Sequence, residues 1–200
     1  ASRTESHQRL VQLRYAHPSD VSSLSSCNEH TLPENYNHKF YQNHLSQWPD
    51  LALVIVDESR VIAYLLGKIL DEQQQHIEYQ SFEQHRRVGH IFSLAVLPEF
   101  RRNGLAKQLL DVFHENCNTA TVGLHCRQSN AAAVRLYECA GYEPSYSIPN
   151  YYEDGEDAYY MKKELKQVHF FERLRKAKSI PKNLIVTVEE KEEDLLAGTM

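Results

Sequence analysis

Two strand–turn–helix units follow one another in this chain, and such a pair constrains its fold more than any other feature. The first runs from His90 to Leu110, HIFSLAVLPEFRRNGLAKQLL. The apolar run Ile91 to Leu97 is too short for an ordinary helix and fits a buried strand. Pro98 stops ladder pairing there. After the turn Arg101 to Ala106, helical spacing begins, with Leu105, Leu109, Val112 and Phe113 on one face. The second unit is a strand over Ala120 to Cys126, then a helix capped by Ser129 and Asn130 and stopped near Gly141. Strands that each feed a helix must pair in parallel, so these two predict the middle of an α/β sheet.

The turn between strand and helix carries chemistry. A helix start leaves backbone N–H groups without intrahelical acceptors and has the positive end of the dipole. Arg101 and Arg102 add fixed charge and planar donors, while Gly104 and Ala106 let an anion approach the backbone. The reading is a pyrophosphate cradle. The turn has no Gly-Lys-Ser/Thr ending and no three-glycine dinucleotide fingerprint. On these few residues alone a solvated basic turn is an equal alternative.

Other elements follow in order. Val11 to Ala16 predicts a first strand, Pro18 opens a helix to about Cys27, and a second helix carries Phe40, Tyr41, Leu45 and Trp48. Leu51 to Val56 and Val61 to Leu66 read as a hairpin covered on both faces. Residues 71–89 read as a polar, mobile insertion, and Ala158 to Leu165 as the final strand. Beyond it lie a basic amphipathic helix candidate at 168–178 and an acidic, disordered run from Glu189 to Asp194.

At 200 residues the chain suits one domain with appendages. A net charge of −5 argues against a dominant nucleic-acid footprint, DNA binding included. Cys27, Cys117, Cys126 and Cys139 lack metal-ligand spacing and read as reduced thiols of a cytosolic protein, with no metal expected. No signal peptide or membrane-spanning run is read, so no membrane association is expected.

The turn Arg101-x-x-Gly104-x-Ala106 resembles the acetyl-CoA loop of the GNAT acetyltransferases. Further strings resemble the protein N-terminal acetyltransferases, and NatA-type catalytic subunits in particular. These are Leu32-Pro33-Glu34-Asn35-Tyr36, Ser46-Gln47-Trp48-Pro49, Gly89-His90-Ile91, Leu124 to Asn130, and Tyr151-Tyr152-Glu153-Asp154-Gly155-Glu156-Asp157-Ala158-Tyr159. Cys126 departs from the pattern, which usually has Val there, and the chain beyond Lys166 has no counterpart.

The resemblance implies a mixed, twisted sheet of about six to seven strands, with helices on both faces and central parallel strands splayed around acetyl-CoA. It divides the chain into an N-terminal extension 1–10, an acetyltransferase domain 11–165 and a C-terminal region 166–200. It implies acetyl transfer to the α-amine of protein N-termini. Glu34 is then the orienter or base, with His125 ahead of His90 as proton relay, and Tyr137 stands by the sulfur. For each histidine an ordinary satisfied imidazole is a near-equal alternative, and for Tyr137 plain core packing is an equal one. The cofactor contacts would be Leu94, Ala95, Val96, Arg101, Arg102, Asn103, Gly104, Leu105, Ala106, Lys107, Asn130 and Tyr137. Leu32, Glu34, Tyr36, Tyr151 and Tyr152 would line the peptide slot, with Arg127 bracing Glu34 or the loop. Implied partners are nascent chains, a large helical-repeat auxiliary subunit and the ribosome, in the cytoplasm and also the nucleus. Two other readings stay open: a GNAT enzyme for lysine or small amines, and a CoA-binding scaffold without turnover.

Overall fold

The structure is a computed structural model that describes residues 8–71, 87–165 and 184–189. The segments 72–86 and 168–178 and the acidic run beyond Glu189 lie outside the described residues. Eight strands form one mixed sheet. They are β1 Gln8–Tyr15, β2 Ala52–Asp57, β3 Arg60–Asp71, β4 Arg87–Val96, β5 Thr121–Arg127, β6 Glu143–Ile148, β7 Ala158–Glu164 and β8 Leu184–Glu189. Their order is β6-β7-β5-β4-β3-β2-β1-β8. The helices are α1 Val21–Glu29, α2 His38–Gln47, α3 Leu105–Asn116 and α4 Ala131–Cys139. Among the described residues the chain forms two compact units. Residues 8–65, 94–109 and 184–189 make one, and 66–71, 87–93 and 110–165 the other.

In the first unit, β2 is buried along its whole length and β3 from Val61 to Leu65, as strands covered on both faces must be. Helix α1 is tied to this hairpin at two points. The Ser23 hydroxyl accepts from the Val61 N–H (2.8 Å), and Asn28 donates to the Tyr64 hydroxyl inside the core (2.8 Å). Arg14 grips the buried Asp20 with two hydrogen bonds, 2.6 and 2.9 Å, and the His17 N–H adds a third. Burial pushes the Asp20 carboxyl pKa up, but Arg14 and the His17 amide outweigh it and hold it below the ordinary value.

In the second unit β4 and β5 pair in parallel, Val88 with Thr121 through Ile91 with Leu124. This ladder spans four residue pairs, while β4 runs on to Val96 and β5 to Arg127. Strands β5, β7 and β6 continue antiparallel. Gly67 leaves room for the Phe113 ring, which a Cβ would strike.

Several expectations change. Among the described residues the strand count is eight rather than six or seven, because the sequence reading does not include β6 and β8, and β7 is not the last strand. The insertion read over 71–89 is corrected at its ends, since Asp71 ends β3 and Arg87 to Gly89 open β4. Pairing with neighbouring strands carries both strands into polar sequence. In α3 the buried face is Leu105, Leu109, Leu110 and Phe113, with Val112 only half-buried.

Candidate active site

The first unit contains the start of α3. The Gly104 carbonyl accepts from the Gln108 N–H (3.1 Å), so Gly104 stands at the helix boundary. Its φ is +75°, and a Cβ there would meet nothing within 4 Å. Arg102 also has positive φ, 72°. Asn103 Nδ2 donates to the Phe100 carbonyl (3.2 Å), and Arg101 Nε donates to the Val96 carbonyl (3.0 Å). The turn is thereby held against the end of β4. Leu105 anchors the helix in the core, while Arg101, Arg102, Gly104 and Lys107 are exposed. No acidic side chain occupies the first turn. Nearby Glu99 is engaged by Arg60 (3.0 Å). A helix start with no acid in its first turn and open space over Gly104 fits a diphosphate.

The loop between α1 and α2 holds Leu32, Glu34 and Tyr36, all half-buried. Tyr36 stacks on Phe40 with centroids 4.5 Å apart. Helix α2 starts at His38 and is capped by Asn37, whose Oδ1 accepts from the Phe40 N–H (2.9 Å). Glu34 thus stands before the cap and is no first-turn acid serving the helix dipole.

The second unit brings together His90, His125, Arg127, Tyr151 and Tyr152. The two imidazoles lie 5.2 Å apart. His90 is 6% exposed, and Nδ1 of each ring is buried without a hydrogen-bond partner among the described residues. Burial first, then His125 and Lys68, push the His90 pKa down to about 3. Burial and then Lys68 push His125 down to about 4. Both rings are neutral at pH 7, because burial disfavours their charged form.

Tyr151 stacks on His125 (4.5 Å) and meets Tyr152 edge-on (5.0 Å). The Arg127 guanidinium lies 3.9 Å from the Tyr152 ring centroid and bridges Asp154 and Glu156, each at 2.7 Å. Glu156 also accepts from the Ser129 N–H (2.9 Å). Ser129 and then Arg127 hold the Glu156 carboxyl down to about 2. Arg127 is a brace for the loop that presents the two tyrosines. Tyr137 on α4 is 7% exposed, and burial holds its phenol well above the ordinary tyrosine value. Asn130 caps α4, its Oδ1 accepting from the Ala133 N–H (3.1 Å). Among the described residues, no cluster of three His, Cys, Asp or Glu side chains could hold a metal, and no helix is long and apolar enough to cross a membrane.

The model of the acetyltransferase (GNAT) family matches residues 21–142. This chain belongs to the GNAT acetyltransferases. Curated members of the family narrow the likeness. The catalytic subunit NAA10 of the N-terminal acetyltransferase A complex of Arabidopsis thaliana is 40% identical, over 78% of this chain and 79% of its own length. The corresponding subunit ard1 of Schizosaccharomyces pombe is 36% identical, over 80% of this chain and 89% of its own. Among solved structures, Chaetomium thermophilum Naa20 in complex with a bisubstrate analogue has TM-score 0.68 and 28% identity, covering 78% of this chain and 87% of that one. Ard1 from Thermoplasma volcanium has TM-score 0.66 and 25% identity, covering 78% and 99%. This GNAT chain carries side chains near its histidine pair that sequence reading missed: Lys68, and Tyr160 of β7 with its ring 5.2 Å from His125.

The buried imidazoles make stability fall on acidification. A further imidazole, His114, is pushed down to about 4 by burial and then Lys163. Between pH 6.5 and about 4 the unfolded chain takes up protons that the folded chain refuses, so unfolding gains ground as pH drops. For the nearly sealed His90 the limiting slope is about 1.4 kcal/mol per pH unit. His114 and His125, half-buried, add less because solvent screens them. Melting temperature measured from pH 7 to 4.5 is expected to fall steadily, and a flat profile would contradict the neutral buried pair.

Proposed function

We propose that this GNAT enzyme transfers the acetyl group of acetyl-CoA to the α-amine of protein N-termini, as catalytic subunit of a NatA-like complex. The observation that carries the reading is the start of α3, an exposed basic helix end without a first-turn acid and with open space at Gly104. In this reading Arg101, Arg102, Asn103, Gly104, Leu105, Ala106 and Lys107 hold the diphosphate. The backbone of Leu94, Ala95 and Val96, where β4 runs past its ladder with β5, pairs with the pantetheine amides. Asn130 contributes through the helix it caps.

Acetyl-CoA supplies the activated acetyl thioester, and the amine must arrive neutral to attack it. An α-amine has a reference pKa of about 7.7–8.0, against about 10.4 for lysine, so a modest base suffices. Glu34 orients the amine or takes its proton. One histidine, His125 in preference to His90, passes that proton on through a neutral ring. The Tyr137 phenol, held above its ordinary pKa, is a weaker acid than a thiol. Its role is to donate a hydrogen bond to the departing sulfur. Leu32, Tyr36, Tyr151 and Tyr152 grip the peptide, rings with hydroxyls suiting a half-wet slot.

The catalytic domain in this reading is 11–165. The names of the relatives, catalytic subunits of an N-terminal acetyltransferase complex, support a partner subunit, which this reading takes to be a large helical-repeat protein. Work on nascent chains at the ribosome, in the cytoplasm and also the nucleus, belongs to the same proposal. Matched peptides with a free or a blocked terminus, each carrying a lysine, test it with and without a candidate large subunit. Acetylation of the free termini alone is expected. Modification of blocked lysine peptides would favour a lysine enzyme, and no transfer in either state would favour a scaffold.

The Arg127 brace gives a separable expectation. Arg127→Ala is expected to raise the peptide KM on the order of tenfold through loss of the cation–π contact and the loop ion pairs. Acetyl-CoA affinity should stay as it was. An unchanged peptide KM would remove Tyr152 from the peptide slot.

A further inference from the structure

Three rings stand in a row across β5, β7 and β6. His125 pairs with Tyr160 in the β5–β7 register, and Tyr160 pairs with Tyr146 in the β7–β6 register. Tyr146 stacks on Tyr160 at 4.9 Å and 25°. Tyr160 meets His125 at 5.2 Å, and Tyr151 stacks on the same imidazole at 4.5 Å. Besides His90, His125 therefore meets two tyrosine rings, one from β7 and one from the loop before it.

The Tyr160 ring does not stay in its own row. A Cβ on Gly123 would collide with the Tyr160 hydroxyl and would stand 2.6 Å from Cζ. The phenol thus lies along β5 and occupies the place of the side chain that Gly123 lacks. Gly123 is the residue paired with His90 in the parallel ladder. One buried phenol, 4% exposed, therefore reaches from the row of His125 into the row of His90. No other residue at position 123 would leave this space.

We propose that Tyr160, seated over Gly123, is a positioning residue for the histidine pair, fixing the His125 ring and keeping water from both imidazoles. The proposal rests on the proton-relay role given above to one histidine of that pair. The charged and titratable groups known to bear on the pair are Lys68 from β3, Tyr160 from β7 and Tyr151 from the loop, with Tyr146 of β6 behind Tyr160. Lys68 disfavours charge on both rings, and burial is the larger cause. Opening the space over Gly123 removes burial and leaves Lys68 in place. The His125 ring then moves toward the ordinary imidazole range and is protonated in mildly acid solution.

The test is imidazole titration by NMR in the full chain, alongside turnover at two pH values. In the unsubstituted protein neither ring should titrate between pH 5 and 8. In Tyr160→Ala, His125 should titrate inside that window, and kcat should fall about tenfold at pH 5.5 but less than about twofold at pH 8. A loss of packing alone would lower both rates alike. Tyr160→Phe keeps the ring and should restore the untitrated imidazole. Gly123→Ala, which drives the phenol out from the other side, covers the case in which Tyr160→Ala does not fold. Combined with Tyr160→Ala it should add no further loss, because the collision is gone. An active Tyr160→Ala with His125 still silent from pH 5 to 8, or losses that multiply in the double variant, would overturn the proposal. Absence of transfer by the unsubstituted protein would instead overturn the reaction itself, and with it the catalytic part of this role.

Discussion

Glu34→Gln is expected to lower turnover by roughly 10²- to 10⁴-fold at pH 7, the range a general base contributes. Acetyl-CoA affinity should stay within about twofold, because the diphosphate cradle at α3 is a different part of the chain. The substitution keeps the shape of the side chain in the loop between α1 and α2 and removes its charge. The residue lies before the Asn37 cap of α2, so the helix loses no cap or dipole partner by the change. The defect should shrink as pH rises past the α-amine range of about 7.7–8.0, where the substrate arrives already neutral. A defect of constant size up to pH 9 would make Glu34 an orienting group. Undiminished turnover at pH 7 would take it out of the mechanism.

Gly104→Val is expected to weaken acetyl-CoA binding by about a hundredfold or more, the equivalent of some 2.7 kcal/mol. Two effects combine. The valine methyls fill open space at the helix end, where backbone and anion must meet. A β-branched residue at φ +75° is also strained by about 1–2 kcal/mol. Strain lowers stability whether or not the cofactor is present. Calorimetric titration of the folded protein separates the two, since the steric effect persists once folding is complete. Peptide KM at saturating acetyl-CoA should hardly move. An unchanged Kd for acetyl-CoA would place the diphosphate elsewhere.

How much of this could be read in advance varies by element. The apolar run of β4, the turn at Gly104 and the face of α3 were legible because each is a local pattern. The cap at Asn130 was local too. Strand β6 was hidden for a physical reason. Five exposed positions, Pro144 among them, look unlike a strand, yet the strand sits at the edge of the sheet, where proline and polar residues are tolerated. Strand β8 carries the apolar run Leu184 to Val188, which the sequence reading leaves unassigned between the 168–178 helix candidate and the acidic run, and Glu189, read as part of that disordered run, closes the strand. Val186 and Val188 are buried once β8 pairs with β1.

The histidine pair shows the same division. His90 and His125 were singled out from neighbouring strings, but their neutrality depends on burial that no local pattern reports. Arg127 was left between two partners, and only the loop geometry shows it on Tyr152, Asp154 and Glu156. Tyr160 was invisible. It meets His125 because β7 pairs with β5, although α4 and β6 intervene in the chain.

The most direct measurement is a crystal structure of this enzyme grown with coenzyme A. The expected result is a diphosphate within hydrogen-bond distance of the backbone N–H groups over residues 101–107, with the Arg101 or Arg102 guanidinium alongside. A diphosphate seated away from that turn would contradict the acetyl-CoA cradle on which the proposed reaction depends.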